Sequence, residues 1–109
     1  GDVRGIALNV SNYQDTANEF AYAHQLSDLL GGTHAIIDTS RNGAGPAGSQ
    51  WCNPAGRLVG AAGGAFGDGV VDTTLWIKPP GESDGECNDG PAAGTWGPDA
   101  AVELTRESR

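Results

Sequence analysis

Val70-Val71-Asp72-Thr73-Thr74-Leu75-Trp76-Ile77 runs without a break into Lys78-Pro79-Pro80-Gly81-Glu82-Ser83-Asp84-Gly85. The first half is an apolar, β-branched run of strand length. The second half sets one ammonium and two carboxylates on a backbone stiffened by Pro79 and Pro80 and bent at Gly81 and Gly85. Such a stretch is poor as a helix and costly in a core. A strand that ends in a rigid, charged turn is a natural wall for a polar active site, and the rest of the chain is read outward from it.

Two earlier runs have the same character. Gly5-Ile6-Ala7-Leu8-Asn9-Val10 reads as a short buried strand left by the loop Ser11-Asn12-Tyr13. His34-Ala35-Ile36-Ile37-Asp38-Thr39 reads as another, ending in Ser40-Arg41-Asn42-Gly43. Between them, Thr16 and Glu19 match a capping box, and Phe20, Ala23, Leu26 and Leu30 recur at helical spacing and are expected to face a core. Gly31-Gly32 stops that helix. A Gly-rich loop is expected over 43–69 and a second loop up to Pro98. Pro98-Asp99 makes a good first turn for a final helix that contains Val102 and Leu104.

The order is strand, helix, strand, loop, strand, loop, helix, which is an α/β pattern that favours parallel strands with crossovers. Each strand is followed by a polar cluster, the face on which (β/α) barrels carry their active sites. Three strands cannot close a barrel. The chain has 109 residues, does not open on Met and carries no signal-peptide pattern. Gly1-Asp2-Val3-Arg4 leads straight into a strand-like run, so a segment of something longer is expected.

With 6 basic against 14 acidic residues, the formal net charge is -8. That argues against nucleic acid, whose phosphates need clusters of Lys and Arg, and no apolar run approaches the length of a membrane span. Neutral sugars suit an acidic protein, although the charge also serves solubility alone. The 2 cysteines, Cys52 and Cys87, are too few for a disulfide scaffold or a four-ligand zinc site. Their spacing leaves open whether they are buried thiols or a bridge, which the chain-entropy relation would value at no more than about 3.5–4 kcal/mol.

Lys78 near Glu82 and Asp84 is expected to hold both carboxylates ionised. Ionised carboxylates accept protons, stabilise positive charge or accept hydrogen bonds from sugar hydroxyls. A partner acid with a raised pKa, which glycoside hydrolysis also needs, is not obvious. Asp38 ends a neighbouring strand, but Arg41 close behind it favours its charged form, so a structural, hydrogen-bonded Asp38 is expected. Trp51 sits in a polar loop, where it serves either as a platform for a pyranose ring or as the plug of a small satellite core. Trp76 is expected to pack, Trp96 is undecided, and His24 and His34 read as surface or supporting groups. Gly67-Asp68-Gly69 lacks the spacing of a calcium loop, and no metal site or cofactor is expected.

Leu75-Trp76-Ile77-Lys78-Pro79-Pro80-Gly81-Glu82-Ser83-Asp84-Gly85 resembles a signature of glycoside hydrolase family 6, the cellulases that include endoglucanases and cellobiohydrolases. Asn9-Val10-Ser11-Asn12-Tyr13, Ile37-Asp38-Thr39-Ser40-Arg41-Asn42-Gly43 and Trp51-Cys52-Asn53-Pro54 resemble the same family in the same order. The similarity covers nearly the whole chain. It implies hydrolysis of β-1,4-glucosidic bonds in cellulose with inversion, and a distorted, seven-stranded TIM-like (β/α) barrel. Residues 1–109 would then be the C-terminal portion of a single catalytic domain, with only its last strands and helices.

By the same resemblance Trp51 stacks on glucose, while Asn12, Lys78 and Glu82 hydrogen-bond it. Asp84 matches the proposed catalytic base, with water as a possible proton relay, and Cys52 and Cys87 match a disulfide. The family's general acid, an Asp on an earlier strand, has no match here, so this piece alone is expected to be inactive and poorly folded. The parent is expected to be a secreted monomer. A non-catalytic glucan-binding module that uses Trp51 and the charged turn only for contacts is the alternative, and endo versus exo action stays open.

Overall fold

The computed structural model describes residues 4–65 and 67–106; the opening Gly1-Asp2-Val3 lies outside them. Its elements are β1 (Gly5–Leu8), α1 (Thr16–Leu29), β2 (His34–Asp38), β3 (Gly63–Gly64), β4 (Val71–Leu75) and α2 (Pro98–Leu104). The sheet has the order β1-β2-β4-β3. β1 and β4 both pair in parallel with β2, aligning Leu8 with Ile37 and Asp38 with Leu75. The α/β class and the parallel pairing are as expected from the sequence.

β3, antiparallel to β4, was not expected. Two glycines carry no side-chain alternation from which a strand can be read.

All three expected strands are shorter than their apolar runs, for local reasons. Asn9 takes a left-handed φ of 62° and ends β1; its side chain bonds both backbone groups of Gln14. β2 stops at Asp38 rather than Thr39. Beyond β4, the amides of Ile77 and Lys78 turn to the Asp38 carboxylate instead of continuing the ladder.

α1 begins one residue earlier than the capping-box reading. Asp15 is the cap, its Oδ1 accepting from the Asn18 amide at 2.8 Å. Thr16 Oγ1 instead accepts from Asn42 Nδ2 at 3.0 Å, tying the helix start to the end of β2. At the other end Gly31 has a φ of 77°, and the Gly32 amide returns to the Ser27 carbonyl at 2.8 Å, a Schellman closure. Leu30, expected in the core, caps the helix and is 55% exposed. α2 forms as expected with Pro98 in its first turn; Leu104 is buried while Val102 is exposed.

The core is Leu8, Ala23, Ala35, Ile37 and Val71, flanked by Ile6, Phe20, Leu26 and Val70. Ala35 and Ile37 are buried whereas Ile36 between them is only half-buried, the alternation of a strand with one well-covered face. Trp76 does not pack as expected. It is 39% exposed and donates Nε1 to the Ala61 carbonyl at 3.0 Å.

At the N-terminal ends of the strands, Asp68 Oδ2 accepts the Val70 and Val71 amides and faces His24 at 3.0 Å. His34 meets Asp72 at 2.8 Å. Both histidines thus act as partners of structural aspartates.

Candidate active site

Most of the buried polar side chains among the described residues lie at or beyond the C-terminal ends of β2 and β4. Asp38, Thr39, Ser40, Arg41 and Asn42 are all buried in succession. So dense a polar run in the interior calls for partners; most of its groups have them, Ser40 Oγ and Arg41 Nε being the two buried side-chain atoms without one among the described residues, and the partners define the site.

Asp38 is the junction. Its Oδ1 accepts the Ser40 amide at 2.9 Å and the Ile77 amide at 3.3 Å. Its Oδ2 accepts the Ser11 amide at 2.9 Å and the Lys78 amide at 3.2 Å. One carboxylate therefore joins the loop after β1, its own turn and the segment after β4. The structural role expected for Asp38 is observed. Arg41 does not pair with it, contrary to expectation; backbone amides take that place.

Arg41 reaches Asp84 instead, Nη1 to Oδ2 at 2.7 Å, with both side chains almost fully buried. Its Nη2 donates to the Ser11 carbonyl, and the guanidinium carbon lies 4.5 Å from the centre of the Tyr13 ring. The same Asp84 oxygen accepts the Tyr13 hydroxyl at 3.1 Å and the Asn53 amide at 3.0 Å. Lys78 Nζ lies 3.4 Å from the other oxygen, Oδ1, and also donates to the Ser83 carbonyl.

Burial alone pushes the Asp84 carboxyl up. The Arg41 hydrogen bond, the Asn53 amide and the charges of Arg41 and Lys78 outweigh it and hold the group below the ordinary Asp range. Burial also pushes the Tyr13 phenol well above the usual tyrosine range; Arg41 opposes this and Asp84 adds to it. Tyr13 is therefore a neutral donor facing an ionised carboxylate.

The other expected residues lie in different settings. Lys78 joins Asp84 but no ion pair links it to Glu82 among the described residues. Of the two carboxylates Lys78 thus meets Asp84, and there Arg41 is the closer cation. Glu82 is half-buried and lines a cleft of about 630 Å3 together with Tyr13, Arg41, Asn53 and Trp96. Asn12 is exposed, its Oδ1 accepting the Tyr13 amide at 2.8 Å. Trp51 is 63% exposed and so plugs no satellite core within this chain. Cys52 and Cys87 form a disulfide with 6.1 Å between their Cα atoms, fastening the Trp51 loop to the turn that carries Asp84.

Three contributors went unread in the sequence: Arg41 as a partner of Asp84, Tyr13 and Asn53. The signal for the first two was present, since both stand in the polar runs that follow strands.

The model of glycosyl hydrolases family 6 matches residues 1–108. The chain belongs to that family. The resemblance drawn from the four motifs is thereby borne out. Within glycosyl hydrolases family 6, the chain is 55% identical over 106 residues to Endoglucanase A of Cellulomonas fimi, covering 96% of this chain and 23% of that protein. It is 38% identical over 106 residues to 1,4-beta-D-glucan cellobiohydrolase C of Emericella nidulans, covering 76% of this chain and 23% of the other.

The endoglucanase Cel6 of Mycobacterium tuberculosis, solved in complex with methyl-cellobiosyl-4-deoxy-4-thio-β-D-cellobioside, superposes with a TM-score of 0.91 at 46% identity, over 97% of this chain and 38% of that one. The chain thus spans under a quarter of the length of these two curated relatives.

Proposed function

We propose that this chain forms the base-side wall of an inverting glycosidase that cleaves β-1,4-glucosidic bonds in cellulose. Asp84 is the proton acceptor in this reading. The observation that carries it is the environment of Asp84: a buried carboxylate held ionised by Arg41 and Lys78 at the C-terminal ends of parallel strands. The relatives named endoglucanase and cellobiohydrolase support the substrate class.

The chemistry follows from how the two oxygens are used. Oδ2 takes three donors, from Tyr13, Arg41 and Asn53. Among the described residues Oδ1 faces only the longer Lys78 contact and keeps acceptor capacity. Oδ1 is therefore the oxygen that takes the proton as water attacks the anomeric carbon, directly or through a second water. Glu82, with no side-chain partner among the described residues, and Asn12 and Lys78 hydrogen-bond the sugar. Trp51 offers it an exposed ring face. The general acid comes from a segment other than these 109 residues.

In this reading residues 1–109 are the C-terminal portion of one catalytic domain, a distorted seven-stranded (β/α) barrel, in a secreted, monomeric enzyme. Alone they are expected to show neither a cooperative melt nor hydrolysis. Proton NMR of the products released by the longer polypeptide tests the reaction class. The α-anomer appearing first supports inversion, and the β-anomer appearing first contradicts it.

A further inference from the structure

The loop that carries Trp51 and the turn that carries Asp84 are joined by more than the disulfide. Asn53 stands between them with a left-handed φ of 50°, a conformation Asn tolerates better than most residues. Its backbone amide donates to Asp84 Oδ2 at 3.0 Å, and its side-chain Oδ1 accepts the Asp84 amide at 3.0 Å. One residue thus grips Asp84 by carboxylate and backbone together. Nδ2 donates to the Gly85 carbonyl at 2.8 Å and the Cys87 carbonyl at 3.1 Å and lies 3.2 Å from Ser83 Oγ.

The turn closes tightly on this side chain. Ser83 is buried, and its Oγ also meets the Gly85 and Pro91 carbonyls at 2.8 and 2.7 Å. A Cβ on Gly90 would sit 2.1 Å from Asn53 Nδ2 and 3.0 Å from Ser83 Oγ. Position 90 therefore admits no side chain while Asn53 stays in place. The disulfide beside it restrains the distance between the two segments but bonds no atom of Asp84.

We infer that Asn53 is a positioning residue: it orients the Asp84 carboxylate between Arg41 and the reacting water and holds the Trp51 loop in register with it. This rests on the reading of Asp84 as proton acceptor. Misplacing a catalytic group by an ångström costs roughly up to a hundredfold in rate, so the role belongs in kcat rather than KM. Tyr13, Arg41 and Lys78 are the other titratable groups that face Asp84. Asn53→Gly leaves all three in place.

The test uses the longer polypeptide that carries these residues, with a soluble cello-oligosaccharide as substrate. Asn53→Gly keeps the left-handed backbone and the amide that faces Asp84 Oδ2, and removes the side-chain clasp on the turn. It is expected to lower kcat by roughly tenfold or more with KM little changed, and to move the acidic limb of the pH profile upward as the unclasped turn lets the Asp84 carboxylate draw away from the position-53 amide and Arg41, both of which the variant retains. Asn53→Asp, which keeps the shape and adds a like charge, is expected to move that limb further. Cys52→Ser with Cys87→Ser is expected to lower the melting temperature and leave the limb where it is.

Unchanged kcat and limb in both folded Asn53 variants overturn the inference, as does failure of both to fold. Asp84→Asn, measured alongside, separates the two levels. If it keeps full turnover, the reading of Asp84 has failed; if it loses turnover while the Asn53 variants do not, only the positioning role is wrong.

Discussion

Arg41 Nη1 and Asp84 Oδ2 lie 2.7 Å apart with side chains 4% and 5% exposed. A buried pair is held by mutual dependence: each charge is costly without the other. Lys78 is a weaker partner, at 3.4 Å from the opposite oxygen, so the geometry makes Arg41 the largest of the influences that keep Asp84 ionised.

Arg41→Met in the longer polypeptide is therefore expected to destabilise by about 3–5 kcal/mol, read from denaturant midpoints. The variant that folds is expected to show the acidic limb of its activity profile shifted upward, because burial then acts on Asp84 with less opposition. A melt unchanged from the parent would show that the pair carries no such weight.

The folded Asp84 carboxyl sits below its unfolded value of about 3.9. Its contribution to stability is then complete above the unfolded value and is lost as the pH falls through the lower folded value. Unfolding midpoints of the longer polypeptide, measured from neutral pH downward, are expected to hold level and then drop at the acid end. Asp84→Asn is expected to flatten that drop; a drop of equal size in the variant would assign it to other carboxylates.

Asp38→Asn replaces an acceptor of four backbone amides by a group that turns a donor toward some of them. Each amide left unpaired costs about 1–3 kcal/mol. A loss of at least about 2 kcal/mol is expected, measured by chemical denaturation of the longer polypeptide. An equally stable variant would mean that the junction between the three strand ends is held elsewhere.

The three parallel strands, α1 and α2 were legible because their signals are local: β-branched runs, apolar recurrence at helical spacing, and Pro98 before Val102. Strand ends were less so, since Asn9 stops β1 through a backbone conformation, not through its polarity. Partner choice was least legible. Arg41 lies three residues from Asp38, and spacing assigns it there, yet it bonds Asp84 across 43 positions of sequence. Only the assembled sheet brings those ends together. Tyr13 and Asn53 were quoted within family motifs, but their roles depend on the same long-range meeting at Asp84.

Asp84→Ala in the longer polypeptide, with binding and hydrolysis of one cello-oligosaccharide measured on the same preparation, addresses the central claim most directly. The expected result is a fall in turnover of about 10²–10⁴-fold with affinity changed by no more than about threefold. Undiminished turnover, or equal loss of binding and turnover, would contradict the assignment of Asp84 as the group that takes the proton.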